Sequence, residues 1–147
     1  MDENIRREII MEHYQNPRHK KDCQEPGYHK VNTNNASCID NLDIYVKINQ
    51  GKIEDICFQG EACAISTSSC SIMITNLIGK TVSEAKEYIQ NFKNMINEQP
   101  YDEEILNEAL AYNEIYKQSN RKNCAWLPYQ GIEKILQQLE NESSKEI

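Results

Sequence analysis

Across its 147 residues the chain sets 23 acidic side chains against 16 basic ones, a formal net charge of −7, with the cations scattered rather than banked together. That balance argues against nucleic acid as a partner. No stretch approaches the roughly 20 apolar residues of a membrane span, and the first eight residues lack a signal-peptide core. The expectation is a cytoplasmic protein of single-domain size, with no membrane partner, residues 1–140 forming the domain and 141–147 a frayed polar tail.

Ile5, Ile9, Ile10 and Tyr14 recur at helical spacing and predict a helix over 4–14 that ends at Asn16-Pro17. A polar loop and a weak strand over 28–33 follow. Leu42, Ile44, Val46 and Ile48 alternate with polar residues, as a half-buried strand does. Asn49-Gln50-Gly51-Lys52 has hairpin-turn composition, and 53–59 is the returning strand. A helix is predicted over 64–78, closed by Gly79. Thr81 and Glu84, at capping-box spacing, open another through 96. A fourth is predicted over 102–110, and a last over 123–139, where Pro128 and Gly131 suggest a true start near Tyr129. The order predicts an α+β domain: a small antiparallel three-stranded sheet packed against several helices on one side.

Six cysteines without a leader read as reduced thiols rather than a disulfide framework. Three of them draw notice. Cys38 precedes a carboxylate, Asp40, by two residues; Cys63 lies at a strand-to-helix seam; Cys124 opens the last amphipathic segment. Three thiols and one carboxylate suffice for a tetrahedral metal site, and thiolates bind zinc or iron–sulfur clusters and carry sulfur as persulfides. Cys57, flanked by Ile56 and Phe58, reads as a small buried thiol and Cys23 as a loop bystander. Cys70, two helical turns after Cys63, reads as a core contact, His13 as a packing residue, and the run from Ser66 to Ser69 as a close-packing helix face.

Four stretches together resemble the U-type iron–sulfur assembly proteins, the IscU, NifU N-terminal and SufU group. They are Arg7-Glu8-Ile9-Ile10-Met11-Glu12-His13-Tyr14-Gln15-Asn16-Pro17-Arg18, Cys38-Ile39-Asp40, Gly60-Glu61-Ala62-Cys63-Ala64-Ile65-Ser66-Thr67-Ser68 and Arg121-Lys122-Asn123-Cys124-Ala125. The 61 positions between Cys63 and Cys124 fit the SufU branch, with its insertion before the third cysteine, here over 101–120. Scaffold-type members carry histidine directly before that cysteine; here the residue is Asn123. Two departures stand out: Ile39 replaces a glycine and Ala36 a proline, so the first cysteine's loop must be built differently, and Asn123 stands where the SufU branch usually has lysine.

The resemblance implies an IscU-like fold and a zinc ion held by Cys38, Asp40, Cys63 and Cys124. It further implies zinc-dependent sulfur transfer from a SufS-type cysteine desulfurase, with a downstream cluster-assembly complex as a further partner. Cys38, in the more loop-like block, is the expected acceptor, and Arg121 is expected to steady the site or meet the partner. Two alternatives use the same cysteines: a non-catalytic scaffold carrying an iron–sulfur cluster, and a structural zinc adaptor.

Overall fold

The computed structural model describes residues 1–23, 25–35 and 39–145, with side chains through 141. Three strands, β1 (His29–Asn34), β2 (Asn41–Asn49) and β3 (Lys52–Glu61), form an antiparallel sheet in the order β1-β2-β3. Alternation sends Leu42, Ile44 and Val46 to one face, where they are fully buried. Asn49 to Lys52 is the expected tight turn, with positive φ at Gln50 and Gly51. The helices cover that inner face, as the sequence pattern predicts.

Helix α1 (Glu3–Gln15) is capped by Asp2, whose carboxylate accepts from the Ile5 amide at 2.9 Å. Helix α2 (Ala64–Leu77) is the central element, apolar or small almost all round and buried against α1, β3 and α5. Gly79 follows it with φ +91°. Helix α3 (Val82–Ile96) opens with the full Thr81–Glu84 capping box. Its Phe92 stacks on Tyr129 of the last helix, ring centroids 3.9 Å apart.

Three expectations give way here. The helix expected over 102–110 is a single α turn, α4 (Glu103–Leu106), followed by 3₁₀ turns at Asn107–Tyr112 and Ile115–Lys117. Asn107, at φ +50°, breaks the helical run. The segment still buries Leu106, Ala109, Tyr112 and Ile115.

The last helix, α5 (Ser119–Lys145), starts before Cys124 and runs through both Pro128 and Gly131. Proline leaves the carbonyl four residues earlier without its helical donor. That carbonyl belongs to Cys124, and the Ser66 hydroxyl lies 3.0 Å from it; Ser69 donates to Ala125 O at 2.7 Å and Thr33 to Leu127 O at 3.0 Å. Side-chain hydroxyls from α2 and β1 thus take up carbonyls around the proline turn, and the helix continues. Gly131 is a contact residue rather than a breaker, since a Cβ there would sit 3.2 Å from Thr33 and 3.3 Å from Ile44.

The third difference is covalent. Cys23 and Cys57, read from the sequence as a bystander and a lone buried thiol, are joined as a disulfide, with Cα atoms 6.5 Å apart. Residues 19–21 pair with Phe58 along the open edge of β3, and Cys23 just beyond them meets Cys57. Neither cysteine is near-neighbour to the other in sequence, so periodicity carried no sign of the pairing.

Gly60 fixes the end of the sheet nearest the cysteines. Its φ is +120°, and a Cβ would lie 2.1 Å from the Asn41 carbonyl oxygen. Gly60→Ala is expected to cost about 2–3 kcal/mol or more in urea unfolding, because the strain and the backbone clash act together.

Candidate metal centre

The site grows out of the last rungs of the β2–β3 ladder. Asn41 pairs with Glu61. One step further the backbone pairing stops, and the Asp40 carboxylate takes over: its Oδ1 accepts from the Cys63 amide at 2.7 Å. Asp40 is only 1 % exposed. Cys63 is the N-cap of α2, its sulfur accepting from the Ser66 amide at 3.4 Å. That position puts the sulfur at the N-terminal end of the helix, beside the Asp40 carboxylate. Cys124, in the second turn of α5, is buried and completes the group.

The ligand atoms of Asp40, Cys63 and Cys124 all lie within 4.8 Å of one another. Sulfurs sharing a tetrahedral zinc at about 2.3 Å stand roughly 3.8 Å apart, so a small closure would bring these donors into range. Cys63 Sγ is 3.6 Å from Asp40 Oδ2. Ser66 ties the group together: its hydroxyl is 2.7 Å from Asp40 Oδ2 and 3.0 Å from the Cys124 carbonyl, so one proton serves two acceptors.

Electrostatics favour a cation here. For Asp40, burial works to raise the pKa, but the Cys63 amide, the Ser66 hydroxyl and the two thiols outweigh it and hold the carboxyl below its ordinary value. Burial first, then the neighbouring Cys63 and Asp40, push the Cys124 thiol up to about 12. A carboxylate that stays ionised beside a Cys124 thiol that resists losing its proton is a donor set that a divalent cation completes. Because the folded pKa of Asp40 lies below its unfolded value, its ionised form stabilises the fold at neutral pH. That contribution is lost only as acid takes the pH down through the folded value.

Of the residues read from the sequence, Asp40, Cys63 and Cys124 come together. Cys38 lies outside the described residues; its neighbour Ile39 is 75 % exposed, and the Asn35 amide donates to the Asp40 carbonyl at 3.1 Å, closing the β1–β2 connection that contains it. Arg121 is exposed one turn before Cys124 and, among the described residues, has no carboxylate partner. It lines a groove of about 450 Å³ with Ala64 and Ile65, next to Cys63, and with Arg6, Arg7 and Lys117, which pair there with Glu114 and Glu3. Cys70 is wholly buried in the core, where desolvation pushes its thiol far up. His13 is likewise buried, between Ser71 Oγ at 2.8 Å and Glu108 at 3.2 Å. The sequence reading missed Ser66 as a site residue. The signal that could have found it is a hydroxyl three positions after a helix-capping cysteine, on a helix with no room for solvent.

Comparison with known proteins bears on the family and the fold. Residues 5–125 match the family described as NifU-like N terminal domain. The chain is 32% identical over 133 residues to the Bacillus subtilis protein named zinc-dependent sulfurtransferase SufU, covering 90% of this chain and 89% of that one. It is 33% identical over 135 residues to the Streptococcus pyogenes iron–sulfur cluster assembly scaffold protein IscU, covering 90% and 83%. A crystal structure from Fervidobacterium islandicum, described as a cluster assembly scaffold for the SUF system, superimposes with a TM-score of 0.85 at 29% identity over 92% of this chain and 99% of that one. The chain therefore belongs to the NifU-like N-terminal domain family of iron–sulfur cluster assembly proteins, among its SufU-type members.

Two substitutions test the site's construction. Ser66→Ala is expected to weaken zinc binding about 10- to 100-fold in a competition titration against a chelating dye, because Asp40 loses the bond that orients it. Pro128→Ala restores an amide beneath the Cys124 carbonyl. Ser66→Ala should therefore cost less stability in the Pro128→Ala background than alone, a coupling of about 0.5–1 kcal/mol in a urea double-mutant cycle.

Proposed function

We propose that this protein is a zinc-dependent sulfurtransferase of iron–sulfur cluster assembly, accepting persulfide sulfur from a SufS-type cysteine desulfurase on Cys38. The observation that carries the reading is the convergence of two thiols and one buried carboxylate within 4.8 Å. Cys38 enters as the fourth ligand from its place in the chain, two residues before Asp40 in the same connection. Zinc, when bound, would hold thiols as thiolates at neutral pH without redox chemistry of its own.

Cys63 and Cys124 suit the role of fixed ligands, since one caps α2 and the other is buried in α5. Cys38 belongs to a connection between strands, next to a highly exposed residue, and suits exchange. Its thiolate attacks the outer sulfur of the donor's persulfide. The donor's S–S bond breaks, its cysteine leaves as a thiolate, and Cys38 keeps the sulfur as a persulfide, with no net oxidation. Arg121 lines a groove in which Arg6, Arg7 and Lys117 are already paired with Glu114 or Glu3, and this supports a docking role for Arg121 rather than a part in the bond changes.

The scaffold reading draws support from the relatives named IscU, which would use the same cysteines for a cluster. Against it stands the environment of the third cysteine. Asn123 is exposed, and His13, His19 and His29 belong to α1, the segment along the open edge of β3 and β1.

The discriminating experiment is cysteine turnover by the cognate desulfurase. Zinc-loaded protein should accelerate it saturably, chelator-stripped protein should not, and Cys38→Ala should abolish the effect while remaining folded. No acceleration by folded, zinc-loaded protein would leave the scaffold reading in place. Arg121→Ala should raise the concentration needed for half-maximal acceleration roughly 5- to 20-fold with little change at saturation, the pattern of a lost docking contact.

A further inference from the structure

The segment along the open edge of β3 carries chemistry that the metal centre does not use. Two backbone hydrogen bonds fasten it: Lys21 N donates to Phe58 O at 3.1 Å, and Phe58 N donates to His19 O at 3.0 Å. At its far end the Tyr28 hydroxyl donates to Asp55. β3 is an edge strand, and these bonds occupy part of its open side. Between the two anchors, Cys23 lies directly against Cys57, which faces outward across from Tyr45. Both cysteines are buried, at 7 % and 0 % exposure, while residues 20–22 and 25–27 around Cys23 are exposed.

The noncovalent anchors matter because they bring the two thiols together whether or not they are bonded. A Cα separation of 6.5 Å is within the span a disulfide bridges, so closing or opening the bond needs no rearrangement of the sheet. Local opening of the exposed stretch between the anchors would admit a small thiol or disulfide to Cys23 while β3 stays paired with β2. Cys57 lies four residues, roughly 13 Å along the strand, from the Glu61 end of the ladder where the metal centre begins. The pair is therefore separate from Cys63 and Cys124.

We propose that Cys23 and Cys57 are a reversible dithiol–disulfide site, oxidised by low-molecular-weight disulfides, that locks this segment onto β3 independently of the metal centre. In the first step the Cys23 thiolate, its proton lost to solvent, attacks one sulfur of the small disulfide. A mixed disulfide forms and one small thiolate leaves. The Cys57 thiolate then attacks the Cys23 sulfur and expels the small molecule's other half as a second thiolate. Two protein thiols are oxidised and one small disulfide is reduced to two thiols. Locking removes the segment's freedom to lift from the edge strand, so the Phe58 and Lys21 amides become better protected.

The test uses the full-length, zinc-loaded protein equilibrated in glutathione buffers from strongly reducing to strongly oxidising, then acid-quenched, alkylated under denaturing conditions and mapped by mass spectrometry. At the oxidising end the Cys23 and Cys57 peptides should be cross-linked. At the reducing end both should be alkylated in a protein that kept its native circular dichroism, and Cys63 and Cys124 should be alkylated throughout. Cys57→Ser should trap glutathione on Cys23. Hydrogen exchange at Phe58 should slow at least several-fold on oxidation and be unchanged in the Cys57→Ser protein. The proposal is overturned if the pair never forms, if it survives the most reducing buffer, if Cys63 or Cys124 enters the disulfide, or if reduction unfolds the protein.

Discussion

One hydroxyl proton holds the candidate centre together. Ser66 Oγ stands between the Asp40 carboxylate and a Cys124 carbonyl that Pro128 has deprived of its helical donor. Remove that proton and two buried acceptors on two different elements lose a partner at once, each worth about 1–3 kcal/mol when left unpaired in an apolar setting. The three elements that meet there come from distant parts of the chain: the β1–β2 connection, the start of α2 and the second turn of α5. Their common reference is α2, whose buried face of small hydroxyl residues lets α5 approach and supplies hydrogen bonds at the same time. Packing and ligand placement are thus one design, because the serines that permit the close contact also orient the ligands.

The ladder makes a second contribution. Gly60 lets β3 approach Asn41 more closely than any side chain would permit, and the pairing then passes from backbone to side chain as Asp40 takes the Cys63 amide. A carboxylate so engaged is ionised and fixed before any metal arrives. The Cys124 thiol is the opposite case, held protonated by burial and by its neighbours Cys63 and Asp40. An ionised carboxylate beside one reluctant thiol gives a site whose affinity depends on pH, since binding must release a proton from a thiol that does not readily give it up.

Much of the fold was legible in the sequence because periodicity and caps are local. The alternation in β2, the Gln50-Gly51 turn and the Thr81–Glu84 box each need only a few neighbouring residues. The candidate ligands Asp40, Cys63 and Cys124 were legible for another reason: thiols beside a carboxylate and at a helix start form recognisable blocks. What escaped depends on tertiary partners. Pro128 and Gly131 read as breakers in isolation, yet Ser66, Ser69 and Thr33 answer the proline turn and the sheet surface needs the glycine. The Cys23–Cys57 pairing depends on where a polar loop meets a strand, which no pattern within either segment encodes. The 102–110 stretch read as one helix because its composition favours one, whereas Asn107 ends it after a single α turn and 3₁₀ pieces follow.

The central claim is a zinc centre with mixed sulfur and oxygen ligation. X-ray absorption at the zinc edge of the metal-loaded protein tests it most directly. The account predicts three sulfur scatterers at about 2.3 Å and one oxygen at about 2.0 Å, with the oxygen contribution lost in Asp40→Ala. A four-sulfur shell, or anaerobically isolated protein carrying the visible absorption of an iron–sulfur cluster instead of zinc, would contradict it.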